Sequence, residues 1–185
     1  MTEKNQVLAN VAPLGLFGFG LTTVLLNLIN AGIIPFNVVI ISMGLCYGGF
    51  AQLLAGIFEF KRGKSFTAIV FLSYSTFWWS LVCIFILPSF KIVPAASDSS
   101  LAAYFIVWGI LSLILFCMTF KAKVTMLVFL TLVILFFLLA AAKLSGSSTL
   151  GIIAGYEGIL CGALAIYDGA AQMINDHYGK KILPL

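Results

Sequence analysis

A chain of 185 residues that is 62% hydrophobic and 9% charged, with a mean hydropathy of +1.16, cannot surround a core with a water-soluble surface. Its net charge of +4 sits in short clusters between apolar runs, without the alternating basic and aromatic residues that single strands require, so nucleic acid is excluded as a partner. The composition is that of an all-α membrane protein whose first partner is the lipid bilayer.

Six segments reach the roughly 20 apolar residues needed to cross that bilayer: Leu14 to Leu28, Val38 to Phe60, Phe66 to Leu87, Leu101 to Phe120, Val124 to Ala142 and Leu150 to Gln172. Asn30-Ala31-Gly32 with Pro35, and the basic Lys61-Arg62-Gly63-Lys64, punctuate the first half. Pro88 to Ser100 is the longest loop, and Lys121 to Lys123 and Lys143 to Ser148 mark the remaining turns. With no segment outside the spans long enough to build its own core, residues 1–185 are expected to form one integral domain, a bundle of six transmembrane helices. The polar first dozen residues and the absence of a small-residue cleavage site predict that the first span is retained.

Lys4, Lys61, Arg62, Lys64, Lys121, Lys123, Lys180 and Lys181 fall on one side of these spans, against Lys91 and Lys143 on the other. Positive residues near span ends are held in the cytoplasm, which predicts both termini there and a multi-pass location in the cytoplasmic membrane of the cell. Cys46, Cys83, Cys117 and Cys161 lie singly in four spans and are expected to be buried free thiols, with neither disulfide nor metal.

The first span carries Gly15, Gly18 and Gly20, then Thr22, Thr23, Asn27 and Asn30, in a run that lipid alone would not require. Glycines admit a close neighbour, and polar groups in hydrocarbon need a partner or a wet path. In the second span Gly48, Gln52, Gly56 and Glu59 share a face; Glu59, beside the basic turn, is expected to snorkel to the interface. In the third, Ser73, Thr76 and Ser80 form a hydroxyl stripe that either bonds its own helix or lines a pore. Mid-span polar residues recur in the odd spans, the fifth adding Thr125 and Thr131, as three hairpins around a central path would require. The sixth carries Gly151, Gly155, Gly158, Gly162 and Gly169 with Ala165, a surface for close contact with another helix or subunit. Of its two acids, Asp168 is expected to be solvated near the cytoplasmic interface. Glu157, deeper, is a proton-coupling candidate unless it reaches the outer water, because an acid inside the membrane either pairs or takes up a proton.

Ala12-Pro13-Leu14-Gly15-Leu16, with Asn10 ahead, resembles the Asn-Pro-Ala-Pro-Leu-Gly-Leu signature of the acetate uptake transporter family, with Val11 in place of its first proline. Tyr47-Gly48-Gly49, Ala51-Gln52 and Cys161-Gly162-Ala163 are similar to that family's second and last spans. The resemblance implies a transporter or channel for acetate and other short carboxylates, in a hexamer with one pathway per subunit. It also implies a hydrophobic constriction of Phe19, Tyr74 and Leu132. Such a gate dewets and stops ions while a protonated or proton-linked acid passes, with Asn10, Thr22, Asn27, Gln52, Ser73 and Thr76 as the substrate-binding positions. A hydroxyl-lined apolar pore would equally pass a neutral solute such as ammonia, and that alternative stands. An enzyme is not expected, because the single histidine, His177, lies in the tail and no acid-base or ligand cluster forms. No cofactor is implied.

Overall fold

Each helix begins and ends where local chemistry permits. Asn37 Oδ1, Ser97 Oγ and Ser147 Oγ accept from the backbone N–H groups of Val39, Ser100 and Leu150, capping three helix starts. Gly63, Gly146 and Gly179 adopt positive φ of 72°, 63° and 62° just past three helix ends, where a side chain would be strained. The computed structural model, which describes residues 9–185, accordingly contains six helices long and apolar enough to span a membrane among the described residues. They are α1 (Ala12–Asn30), α2 (Val38–Lys61), α3 (Ser65–Phe90, its last turn a 3-10 turn over Leu87–Phe90), α4 (Asp98–Phe116), α5 (Lys123–Ser145) and α6 (Ser148–Tyr178). The protein is a multi-pass, all-helical membrane protein. Lys4 of the charge count lies outside the described residues.

Two helices differ most from expectation in their bounds. The helix α4 starts earlier, at the Ser97 cap, and closes before Phe120 because Thr119 Oγ1 turns back to Phe116 O at 2.7 Å. The helix α6 runs on to Tyr178, and Asn175 then clamps the returning tail, accepting from Ile182 N and Leu183 N and donating to Leu183 O.

The helices form a ring in the order α1, α2, α3, α4, α5, α6, in which α3 and α4 meet through side chains only. The most intimate pair is α1 with α6, and glycine is the reason. A Cβ at Gly20 would sit 2.7 Å from Gly162 O, one at Gly162 would sit 2.7 Å from Gly20 O, and those at Gly155 and Gly158 would strike Ala31 and Asn27. From Gly155 to Gly169 the small-residue stripe of α6 is thus packed on α1 within the same chain, whereas Gly151 meets nothing within 4 Å. By contrast, α3 and α4 are held apart by aromatic rings, Phe77 stacking on Tyr104 at 5.8 Å and meeting Trp108 edge-on at 5.1 Å.

Within α2, Gly44–Ala51 is a wide π-helical stretch. Gly48 and Gly49 leave room there for the indoles of Trp78 and Trp79, and Trp79 Nε1 donates to Leu45 O at 3.1 Å. Such wide turns free carbonyls for side-chain donors. The thiols do not follow expectation: Cys46, Cys83 and Cys117 are exposed on the outer surface of the bundle and only Cys161 is buried.

Candidate functional site

Two cavities enter the bundle from opposite ends. One, of about 270 Å³, opens at the end that carries Lys121 and is walled by Phe19 of α1, Gln52 of α2, Tyr74 of α3, Thr125 and Leu132 of α5 and Asp168 and Gln172 of α6. The other, of about 200 Å³, runs toward Lys143 past Thr23, Asn27, Trp78, Phe105 and Phe136. Phe19 and Leu132 line both. All six helices contribute to one lining or the other, so the linings are not confined to the odd helices, and the residues common to both come from α1 and α5.

The local sequence explains why those side chains point inward. Gly18 and Gly20 let α1 press against Tyr47 O on one flank and Gly162 O on the other, which turns Phe19 to the ring's interior, 5% exposed. Tyr74 meets Phe19 edge-on, with centroids 5.6 Å apart. Ser112 Oγ spends its hydrogen on Trp108 O, so the Tyr74 hydroxyl donates to Ser112 Oγ, 2.8 Å away, and is committed to α4.

The polar positions distribute unevenly. Gln52 is fully buried in the first cavity wall; its Nε2 donates to Gly48 O at 2.6 Å and its Oε1 has no partner among the described residues. Asn27 lines the second cavity, donating to Thr23 O and accepting from Asn30. Thr22 is buried outside both linings, its hydroxyl given to Gly18 O, and it is the adjacent Thr23 that reaches the cavity. The Ser73, Thr76 and Ser80 stripe also stands outside both linings: Thr76 is exposed on the bundle's outer surface and bonds Ser73 O, while Ser80 pairs with Tyr104. A hydroxyl in hydrocarbon finds its own helix carbonyl first, and that is what Thr76 and Ser80 do, the latter at Phe77 O.

Asn10 is removed from any passage. Its amide donates to Asp176 and accepts from Arg62, tying the ends of α1, α2 and α6 together. Arg62 also pairs with Glu59, which is 2% exposed; this acid is buried and paired rather than snorkelling. Asp168 is likewise not solvated: it is 1% exposed, accepting from Thr125 Oγ1 at 2.8 Å and from Gln172 Nε2 at 2.9 Å inside the first cavity wall. Sequence reading missed its place, although the i, i+4 pair Asp168 and Gln172 was a usable signal. Glu157 lies outside both linings, half-buried, with neither carboxylate oxygen partnered among the described residues. Among the described residues no cluster suited to a metal ion occurs.

This architecture matches proteins already known. A solved structure described as the bacterial acetate channel SatP superposes with a TM-score of 0.94 at 41% identity, covering 96% of this chain and 99% of that one. The succinate-acetate/proton symporter SatP of Escherichia coli is 42% identical over 98% of this chain and 97% of its own length. More distantly, the ammonia transport outward protein 2 of Saccharomyces cerevisiae is 34% identical over 88% of this chain and 61% of its own length. The GPR1/FUN34/yaaH family model matches residues 1–182, and the chain belongs to that family.

Proposed function

We propose that the protein transports acetate, and other short monocarboxylic acids, across the membrane through a proton-linked pathway inside each subunit. The observation that carries this reading is the pair of cavities that approach from opposite ends and share Phe19 and Leu132. With Tyr74 against Phe19, these form the constriction: too apolar and narrow to keep a hydrated ion, yet passable by a small acid when a ring swings aside. Lys61, Arg62, Lys64, Lys121, Lys123, Lys180 and Lys181 crowd one end of the bundle, which favours that end, with both termini, as the cytoplasmic side of the cell membrane. The outer faces carry large apolar side chains such as Val107 and Ile114, 65% and 58% exposed, suited to lipid and to neighbouring subunits of a hexamer. The whole chain acts as one membrane domain without enzymatic activity.

Uptake of labelled acetate into liposomes containing the purified protein tests the reading. Protein-dependent uptake that rises with an imposed proton gradient is expected; uptake equal to that of empty liposomes refutes it. A second reading, passage of ammonia, draws on the unpartnered Gln52 oxygen, which accepts an N–H as readily as an O–H. Ammonia flux in the same vesicles decides whether it is an additional cargo.

A further inference from the structure

The cavity that runs toward Lys143 adjoins a third space of about 340 Å³, walled by Asn30 of α1, Asp98 of α4, Lys143 of α5 and Ser148 and Gly151 of α6. Asn30 and Lys143 belong to both linings. The space exists because α1 ends at Asn30: a Cβ at Gly155 would strike Ala31, whereas one at Gly151, a turn farther out on α6, meets nothing within 4 Å. From it an amide ladder descends α1 toward Phe19, Asn30 Nδ2 donating to Asn27 Oδ1 and Asn27 Nδ2 to Thr23 O, each at 2.9 Å. Lys143 is the cation of this mouth; Lys91, on the same side, is in neither lining. Lys143 Nζ donates to Asp98 Oδ1 at 3.0 Å, with the two side chains 41% and 66% exposed. Each partner also has a second stabiliser, because Asp98 lies in the first turn of α4 and Lys143 in the last turn of α5, where helix ends favour those charges. An exposed pair of this kind is weak and screened by salt, so it separates easily.

Building on the transport reading above, we propose that this space is a receiving site for short carboxylate anions, in which Lys143 is the recognising cation and Asp98 a built-in competing carboxylate. At pH 7 a short carboxylic acid, with a pKa close to that of a Glu side chain, is more than about 99% ionised, so the species that reaches the mouth is the anion. An arriving carboxylate takes the place that Asp98 Oδ1 holds on Lys143, while Asp98 keeps its water and its helix end. Among the wall residues, Ser148 and Asn30 carry donors for the anion's other oxygen. Asp98 thereby sets the affinity: it holds Lys143 in place when the site is empty and must be displaced each time the site fills.

The test is initial-rate uptake of labelled acetate by the full-length protein in liposomes, over a range of acetate concentrations at constant ionic strength, with flux through empty liposomes subtracted. Lys143→Met, which keeps the length of the side chain, should raise KM about two- to fivefold with a smaller change in maximal rate, and Lys143→Arg should stay near the wild type. Asp98→Asn, which removes the competitor, should lower KM about twofold. These opposite signs separate recognition from bracing. If the pair only ties α4 to α5, the two variants change KM in the same direction or not at all, and either result overturns the proposal. Gly151→Leu fills the space from a position where its first carbon meets nothing within 4 Å and where a helix favours leucine over glycine. It should fold normally and raise KM; an unchanged KM in this variant places recognition elsewhere and overturns the proposal as well. A wild-type protein that takes up no acetate at all refutes the transport reading and this site with it, a result distinct from any of these.

Discussion

Thr125 Oγ1 donates a 2.8 Å hydrogen bond to Asp168 Oδ2, joining α5 to α6 inside the wall of the basic-end cavity. Hydrogen bonds to charged or buried acids contribute about 1.5–3 kcal/mol. Thr125→Val should lower the thermal stability of the detergent-solubilised protein by roughly that amount, and Thr125→Ser should restore most of it. Equal unfolding temperatures for Thr125→Val and wild type would show that the bond contributes nothing net.

Leucine at Gly155 or Gly158 should damage the fold of the single subunit before it affects anything between subunits, since these positions face Ala31 and Asn27 of the same chain. Overpacking against backbone costs about 1–3 kcal/mol or more. The expected outcome is a lower yield of folded protein and earlier thermal unfolding. A variant that keeps wild-type stability but dissociates in detergent would place the stripe at a subunit contact instead.

Arg62→Ala leaves the buried Glu59 without its cation and releases Asn10 from the joint with Asp176. Because Arg62 is only 20% exposed, the loss should be about 1–3 kcal/mol, discounted for the solvent at its edge. Arg62→Ala combined with Glu59→Gln should recover part of it, as removing the uncompensated charge removes much of the penalty. Thermal unfolding of the two variants reads this, and no recovery in the double variant would assign the loss to Asn10 alone.

Glu157→Gln should leave the response of acetate uptake to a proton gradient unchanged, because Glu157 stands outside both cavity linings. Uptake that becomes indifferent to the gradient in this variant, while downhill exchange persists, would return Glu157 to the coupling path.

The spans, the turns and the charge asymmetry were legible because each depends on a local run of residues: apolar length, a glycine, a basic cluster. The inward set Phe19, Tyr74 and Leu132 was legible only through the family motif, since apolarity alone does not distinguish a gate from a core. The buried acids were not legible. Proximity to charged turns made Glu59 and Asp168 read as interfacial, whereas their burial is set by Arg62 folding back one turn and by Thr125 on another helix. The α3 stripe was legible only as two alternatives, its own helix or a pore. Periodicity gives the face but not its direction, and Thr76 points outward with its hydroxyl satisfied by its own helix. The close approach of the Trp78 indole to α2 depends on Gly48, inside a π-helical turn that no periodicity count contains.

The central claim is that cargo passes between Phe19 and Leu132. Its most direct test is the uptake of lactate relative to acetate by Leu132→Ala and Phe19→Ala in liposomes. Truncating either side chain removes bulk from a point shared by both cavities, so the lactate-to-acetate ratio should rise severalfold in each variant. An unchanged ratio in both, with normal insertion and oligomeric state, would contradict a pathway through this constriction.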